Sequence, residues 1–276
     1  MPKTEKELAF LRDLSINDEW TRRFTDLVDK HLTFSNEENF LYVNAGTGDH
    51  VFALRERMNK DTTVFATCEN EEILHIARDK AVAVKSDVDF SNITFEDDSF
   101  DAVLTDASFV KPSELRQLIS ESERVAKSGG KIAVFLPAAG SFGEIFSLLW
   151  EVLFSEDLGS HGAAAADMVR DLPTISRVEE IADSLGLKKV ETHTANEIFE
   201  FENGAEFIDS TLVGDFLLPA WLESLNEKEK ERVTKGLAQL IDAEDGTLSF
   251  RFSVKATLLT AEKAAKQKVK RKSGVK

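Results

Sequence analysis

A short apolar run that breaks abruptly into glycine constrains this chain more than any other stretch. Phe40, Leu41 and Val43 read as a strand, and the chain then turns through Gly46-Thr47-Gly48. Val51, Phe52 and Leu54, with polar residues between them, open an amphipathic helix. Strand, glycine turn and helix make the first unit of a doubly wound α/β sheet, in which ligands sit beyond the carboxyl ends of the strands. Glycine at 46 and 48 lets the backbone turn tightly and approach a ligand without a Cβ in the way. The helix that follows points its unpaired N–H groups at the same place. So short a motif also reads as a plain turn. A dinucleotide-binding G-x-G-x-x-G needs glycine at 51, where this chain has Val51, which leaves other nucleotide-like ligands open.

The alternation continues. Two N-terminal helices are expected over residues 4–14 and 17–32, the second capped by Asn17 and carrying Trp20, Phe24, Leu27 and Val28 on one face. The first strand covers 38–44, a helix 49–59, and the second strand Thr62 to Cys68. A helix bearing Ile73, Leu74 and Ile76 follows, and then a third strand somewhere between Val82 and Val88. Strand four runs from Asp101 to Thr105, a helix from Pro112 to Lys127, and strand five from Lys131 to Leu136, after Gly129-Gly130. Beyond 137 the rhythm changes. An apolar segment at 140–154 and a small-residue stretch after it, together 140–175, form either a packed helix pair or a lid over the site. A helix at 175–185 leads to strand six, Leu187 to Thr194, and helices fill 203–225 and 226–242. A late strand, Thr247 to Leu259, carries Leu248, Phe250, Phe252 and Val254 on one face and suits antiparallel insertion beside strand six. The expectation is a mostly parallel seven-stranded sheet of order 3-2-1-4-5-7-6, strand seven antiparallel, with helices on both faces. One domain spans 1–260, with 1–35 as N-terminal helices and 203–242 as a helical insertion.

Charge and cysteine content narrow the function. The formal net charge is −16, which argues against broad nucleic-acid binding by the body. Residues 263–276 carry seven Lys or Arg and no acid, so the stretch 261–276 reads as a basic, disordered tail, with contact to an anionic surface as the other reading. The single cysteine, Cys68, excludes an intramolecular disulfide or a multi-cysteine zinc cluster and suits a reducing cytoplasm. No apolar run reaches the roughly 20 residues of a membrane span, and MPKTEKELAF lacks a secretory apolar core. No metal-binding spacing, P-loop or G-x-S-x-G elbow is present.

Four segments together resemble the class I S-adenosylmethionine-dependent methyltransferases, in the branch that includes the ubiquinone/menaquinone-biosynthesis type. They are NAGTGD, ENEEILHIARDKA, DVDFSNITFEDDSFDAV and ERVAKSGGKIAVF, spread over about residues 38–137. The resemblance implies S-adenosylmethionine as cofactor and a small-molecule acceptor. It implies that Gly46 and Gly48 approach the methionine end of the cofactor, that Asp89 accepts from the adenine amino group, and that Phe90 offers a backbone N–H to the ring. Asp106, just past strand four, would line the space between cofactor and acceptor. This chain departs from the pattern at three places: Tyr42 stands where the family has an acid, Asn44 replaces its first glycine, and Cys68 falls on the ribose-binding acid. Asn44 still offers hydrogen bonds and αL geometry, and Glu69, one residue late, remains in reach of a ribose. Glu69 also reads simply as an acid near a helix start, where the dipole favours it.

Methyl transfer from a sulfonium is an in-line displacement that needs positioning and, for some acceptors, a base. His50 beside the glycine turn, His161 in the possible lid, and Asp106 are the candidates, and each histidine reads more readily as a surface residue. The apolar segment with Phe142, Phe146, Leu149 and Trp150 points to an apolar or aromatic acceptor, or to core. A protein of the same fold that has lost catalysis and acts as a binding or regulatory partner is the alternative, favoured by the changes at Tyr42, Asn44 and Cys68.

Overall fold

The computed structural model describes residues 3–162, 171–243 and 249–265. Its strands are β1 (Asn39–Val43), β2 (Thr63–Ala66), β3 (Asp89–Phe90), β4 (Phe100–Asp106), β5 (Ala126–Ala138), β6 (Lys188–Phe201) and β7 (Phe250–Glu262). They form one sheet in the order β3-β2-β1-β4-β5-β7-β6. The first five strands pair in parallel, and β7 runs antiparallel to both β5 and β6. Both order and direction match the sequence expectation. The chain reverses its course across the sheet between β1 and β4, so the crevice beyond their carboxyl ends is the natural ligand site.

Alternating side chains feed two apolar layers. In β1, Phe40 and Tyr42 join one core and Leu41 the other. The first layer is covered by α1 (Glu5–Leu11), α2 (Arg22–His31), α3 (Asp49–Arg57), α4 (Glu71–Val84) and α6 (Gly143–Ser155). The second is covered by α5 (Leu115–Val125) and α7 (Ile175–Ser184), through Ile119, Val178 and Ile181. Late in the chain come α8 (Gly204–Asp209), a π-helical segment at Thr211–Leu217, α9 (Leu218–Trp221) and α10 (Glu227–Ala243). α6 is buried along Ile145, Leu149 and Val152, and Val152 lies so close to Gly236 of α10 that a Cβ there would meet it at 2.6 Å. Among the described residues no helix is long and apolar enough to cross a membrane.

Several boundaries differ from the sequence reading, each for a physical reason. The N-terminal helices form one continuous run, joined by a π-helical stretch, Arg12–Thr21, whose N–H groups reach back five residues, as Arg22 N to Asn17 O does. Asn17 therefore caps nothing. Its side chain leaves the helix for the glycine loop instead. The third strand is not within 82–88: α4 runs on to Val84 and stops only where Lys85 turns left-handed, at φ 57°. The Ala-Val alternation at 81–84 satisfies either structure, and the outward Val82 and Val84 are left exposed. β6 extends seven residues past Thr194, because an edge strand paired only with β7 tolerates its polar run. The helix expected at 203–225 is broken at Ser210, whose extended backbone and hydroxyl cap the π-helical segment. β7 ends at Glu262, and Lys263 donates to the Glu123 and Arg124 carbonyls, so the strand overlaps the start of the tail drawn at 261. Residues 163–170 of the possible lid, Leu248, and 266–276 of the tail lie outside the described residues.

Candidate functional site

β1 ends at Val43, and Asn44 takes a left-handed conformation at φ 57°, followed by Gly46 at φ 56° and Gly48 at φ 99°. Asn44 accommodates this geometry as asparagine does more readily than branched residues. Its side-chain amide donates to the Asp106 carbonyl at 3.1 Å, tying the end of β1 to the end of β4. Cys68, past β2, turns inward and donates its thiol to the Gly46 carbonyl at 3.3 Å. Burial pushes that thiol well above its ordinary value, with the Glu69 charge acting the same way. Glu69 faces the opposite way, into the crevice.

A cavity of about 520 Å³ opens here. Asn44, Glu69, Asn70 and Asp106 form its floor at the strand ends, and Ile73 of α4 forms one wall. α1 supplies Glu5, Leu8 and Ala9 as a roof, while Phe109, Val110 and Glu114 close the side beyond β4. Asp215 and Phe216, on the second π-helical segment, complete the lining.

Arg12 occupies the centre of this arrangement. It lies on the first π-helical stretch, is 4% exposed, and places a terminal guanidinium nitrogen 2.7 Å from Glu69 Oε1 and 3.7 Å from Asp106 Oδ2. Its guanidinium carbon sits 4.6 Å from the Phe109 ring centre, a cation–π contact. Its Nε is buried without a hydrogen-bond partner, 3.7 Å from where a Cβ on Gly46 would lie. Asp106 accepts from the Ser108 backbone at 2.7 Å. Burial raises its carboxyl to about 6, Arg12 opposes the rise and Glu69 adds to it.

The next residues of the same stretch close over the glycine loop. Thr47 is fully buried, donates to Asp13 at 2.6 Å and accepts from Asn17 at 2.7 Å. Asn17 also bonds Asp49, and Lys80 of α4 links Asp13 and Asp49.

The sequence-derived candidates separate under this geometry. Asn44, Glu69 and Asp106 converge on the cavity. Gly46 lies under the Arg12 guanidinium. Gly48 does not face open space, since a Cβ there would meet Phe52 and Phe90 at 2.8 Å. Phe90 is buried against Phe52, with its carbonyl taken by Arg78, and Asp89 is exposed on the far side of β3. His50 is turned away from the cavity: its Nδ1 lies 3.0 Å from the Tyr42 hydroxyl and its Nε2 3.2 Å from Asp29. Both bonds are made when the phenol donates to Nδ1 and the Nε2–H donates to Asp29. His161 sits in a 3₁₀ turn, Gly159–His161, after α6. Tyr42 itself is 1% exposed, and burial raises its phenol well above the ordinary value. Arg12 escaped the sequence reading. The signal was there, because Ala9, Arg12, Ile16 and Trp20 fall on one helical face and all are buried.

A second cavity, of about 290 Å³, lies at the ends of β4 and β5. Phe142, Phe146, Leu172 and Trp221 line it, with Lys111 and Glu223 paired at 3.6 Å on its rim. Aromatic contacts lead from one cavity to the other: Phe109 meets Trp20 at 5.4 Å between ring centres, and Trp20 stacks on Phe142 at 6.1 Å.

Comparison with known proteins follows the same outline. Residues 41–134 match the family model of a methyltransferase domain. The fold resembles the YcgJ protein of Bacillus subtilis, with a TM-score of 0.58, 14% identity, and coverage of 89% of this chain and all of that one. A candidate methyltransferase of Bacillus halodurans gives a TM-score of 0.57 at 17% identity, covering 88% of this chain and all of that one. Phosphoethanolamine N-methyltransferase 2 of Haemonchus contortus, solved with phosphomonomethylethanolamine and S-adenosylhomocysteine, gives 0.55 at 15% identity, over 95% of this chain and 58% of that one. No curated protein sequence matches the chain. Residues 41–134 thus match a methyltransferase-domain model, and the chain as a whole has the fold seen in class I S-adenosylmethionine-dependent methyltransferases.

Proposed function

We propose that the chain transfers a methyl group from S-adenosylmethionine to a small-molecule acceptor. The observation that carries this reading is the convergence of Asn44, Glu69 and Asp106 on one cavity at the point where the strand order reverses. Its volume, about 520 Å³, falls in the roughly 300–1,000 Å³ range of cavities that hold ligands of this size. The donor set fits the cofactor. Glu69 is a carboxylate at the end of β2, suited to a ribose diol, and Asn44 sets the turn at the end of β1. The buried Arg12 Nε is an unused donor beside Gly46, suited to the amino-acid end. When bound, the cofactor supplies a sulfonium methyl open to in-line displacement.

The chain's own residues then position the acceptor and exclude water. The second cavity, walled by Phe142, Phe146 and Trp221, suits an apolar or aromatic acceptor. Of His50, His161 and Asp106, Asp106 is the one that lines the first cavity, and with a carboxyl near 6 it is an anion at neutral pH, able to accept a proton. Of the 140–175 segment, Phe142, Phe146, Asp171 and Leu172 line the second cavity. A cytoplasmic setting suits the single, buried thiol.

One observation favours the alternative of a non-catalytic binding or regulatory protein: Asp13 and Asn17 seal the glycine loop and Arg12 is held between both acids of the site. Calorimetry tests the cofactor reading: heat on titration with S-adenosylmethionine or S-adenosylhomocysteine at submillimolar concentration supports it, and correctly folded protein that gives none at millimolar ligand supports the alternative.

A further inference from the structure

The charge lining the first cavity is unbalanced. Glu5, Glu69, Asp106, Glu114 and Asp215 face it, Asp215 already paired with Lys3, and among the described residues that line it Arg12 is the one cation. That cation does not lie at the rim, where water would screen it. It is buried, wedged between the two acids on the floor, over Gly46, and stacked on Phe109. A charge in such a place acts on a neighbouring ligand through a low effective dielectric.

Resting on the cofactor reading above, we propose that Arg12 is a tethered stand-in for a ligand cation: it neutralises Glu69 and Asp106 and sets how strongly the site prefers a charged over a neutral cofactor. The two forms of the cofactor differ by one methyl group and one positive charge. S-adenosylmethionine carries a sulfonium, and the demethylated product carries a neutral thioether at the same atom. Every other group is shared, including the carboxylate that the Arg12 Nε would meet. An acidic floor without Arg12 favours the sulfonium strongly. Arg12, held on the same floor, offsets that preference and keeps the product bound in competition with the substrate. The protein would then respond to the ratio of the two forms rather than to either alone.

Ala9, Ile16 and Trp20 are buried on the helical face that also carries Arg12, and this sets the guanidinium in the cavity. Asp13 and Asn17 pin the stretch to Thr47 and Asp49. The guanidinium therefore stays close to the site even when Glu69 is taken by a ligand.

The test is calorimetric and needs no turnover. S-adenosylmethionine and S-adenosylhomocysteine are each titrated into the full chain, the Arg12→Met variant, which keeps side-chain length without charge, and the Arg12→Lys variant, which keeps charge without the planar fork. The readout is the ratio of the two Kd values in each protein. Arg12→Met should shift that ratio about tenfold toward S-adenosylmethionine, whatever happens to the absolute affinities, the size expected of one unit charge acting over several ångströms of protein. Arg12→Lys should keep the ratio within about twofold of the parent. An unchanged ratio in Arg12→Met, with both ligands weakened equally, overturns the proposal and leaves Arg12 as a carboxylate contact. Failure of both ligands to bind any of the three folded proteins overturns it together with the cofactor reading. Should Arg12→Met fail to fold, the same ratio measured on Arg12→Gln decides.

Discussion

The Arg12 guanidinium lies 2.7 Å from the Glu69 carboxylate, joining residues 57 positions apart and fastening the N-terminal helix to the end of β2. The guanidinium end of this pair is 4% exposed and the carboxylate end 24%, so loss of Glu69 leaves a buried cation with Asp106 at 3.7 Å as its remaining partner.

The first prediction follows from that pairing. Arg12→Met and Glu69→Gln should each destabilise the ligand-free protein by about 2–4 kcal/mol, and the double variant should lose less than the sum, with a coupling energy of about 1–3 kcal/mol. Urea unfolding of the four proteins checks it. Strict additivity would mean that the pair is not formed in solution.

Gly48 carries the second. Its φ of 99° and the Phe52 and Phe90 rings at 2.8 Å from a Cβ make it a folding residue before it is a binding one. Gly48→Ala should cost about 2–4 kcal/mol from left-handed strain plus overpacking, against about 1–2 kcal/mol for Gly46→Ala, which has strain alone. Equal losses at the two positions would contradict the packing described here.

The third concerns pH. The Asp106 carboxyl is raised from 3.8 to about 6 in the folded chain, chiefly by burial. Between those values the folded protein holds a proton that the unfolded chain has released. This group therefore favours folding most below pH 4, and its contribution falls as pH rises to about 6 and is level above. The loss across the window is about 2–3 kcal/mol. Asp106→Asn should remove that part of the slope in denaturation series from pH 4 to 7, and an unaltered slope would contradict it.

Tyr42 gives the fourth. Its ring is in the core and its hydroxyl meets His50, which in turn holds Asp29. Tyr42→Asp introduces the acid that the resemblance to methyltransferases implies at this position, but it should destabilise the chain by about 3–5 kcal/mol, as an unpaired buried carboxylate does. Tyr42→Phe should cost only about 1–2 kcal/mol, the loss of one buried hydrogen bond. A Tyr42→Asp variant as stable as the parent, with tighter cofactor binding, would show that the family contact survives in latent form.

The sheet was legible because each parallel strand is a short apolar run bounded by a turn signal, and the glycine break after β1 fixes where the crossovers begin. That Asn44, Glu69 and Asp106 share one cavity was legible for the same reason, since they stand at or just past strand ends. The rest depended on long-range contact. Asn17 looks like a helix cap from its neighbours alone, yet its partner Thr47 is 30 residues away. Arg12 looks like a solvated helix residue until its place among Ala9, Ile16 and Trp20 is read as a face. His50, next to the glycine turn in sequence, is carried away from the cavity because the first turn of α3 points its side chain toward α2. The Gly48 turn looks open in sequence, but Phe52 one helical turn on and Phe90 on β3 fill the space beside it.

The central claim is that this cavity, with Arg12 in its floor, still takes the cofactor. The most direct measurement is calorimetric titration of the folded chain with S-adenosylmethionine. The account predicts weak but measurable binding, with Kd in the tens to hundreds of micromolar, about −5 to −6 kcal/mol. No heat at millimolar ligand, from protein whose fold is verified in the same sample, would contradict it.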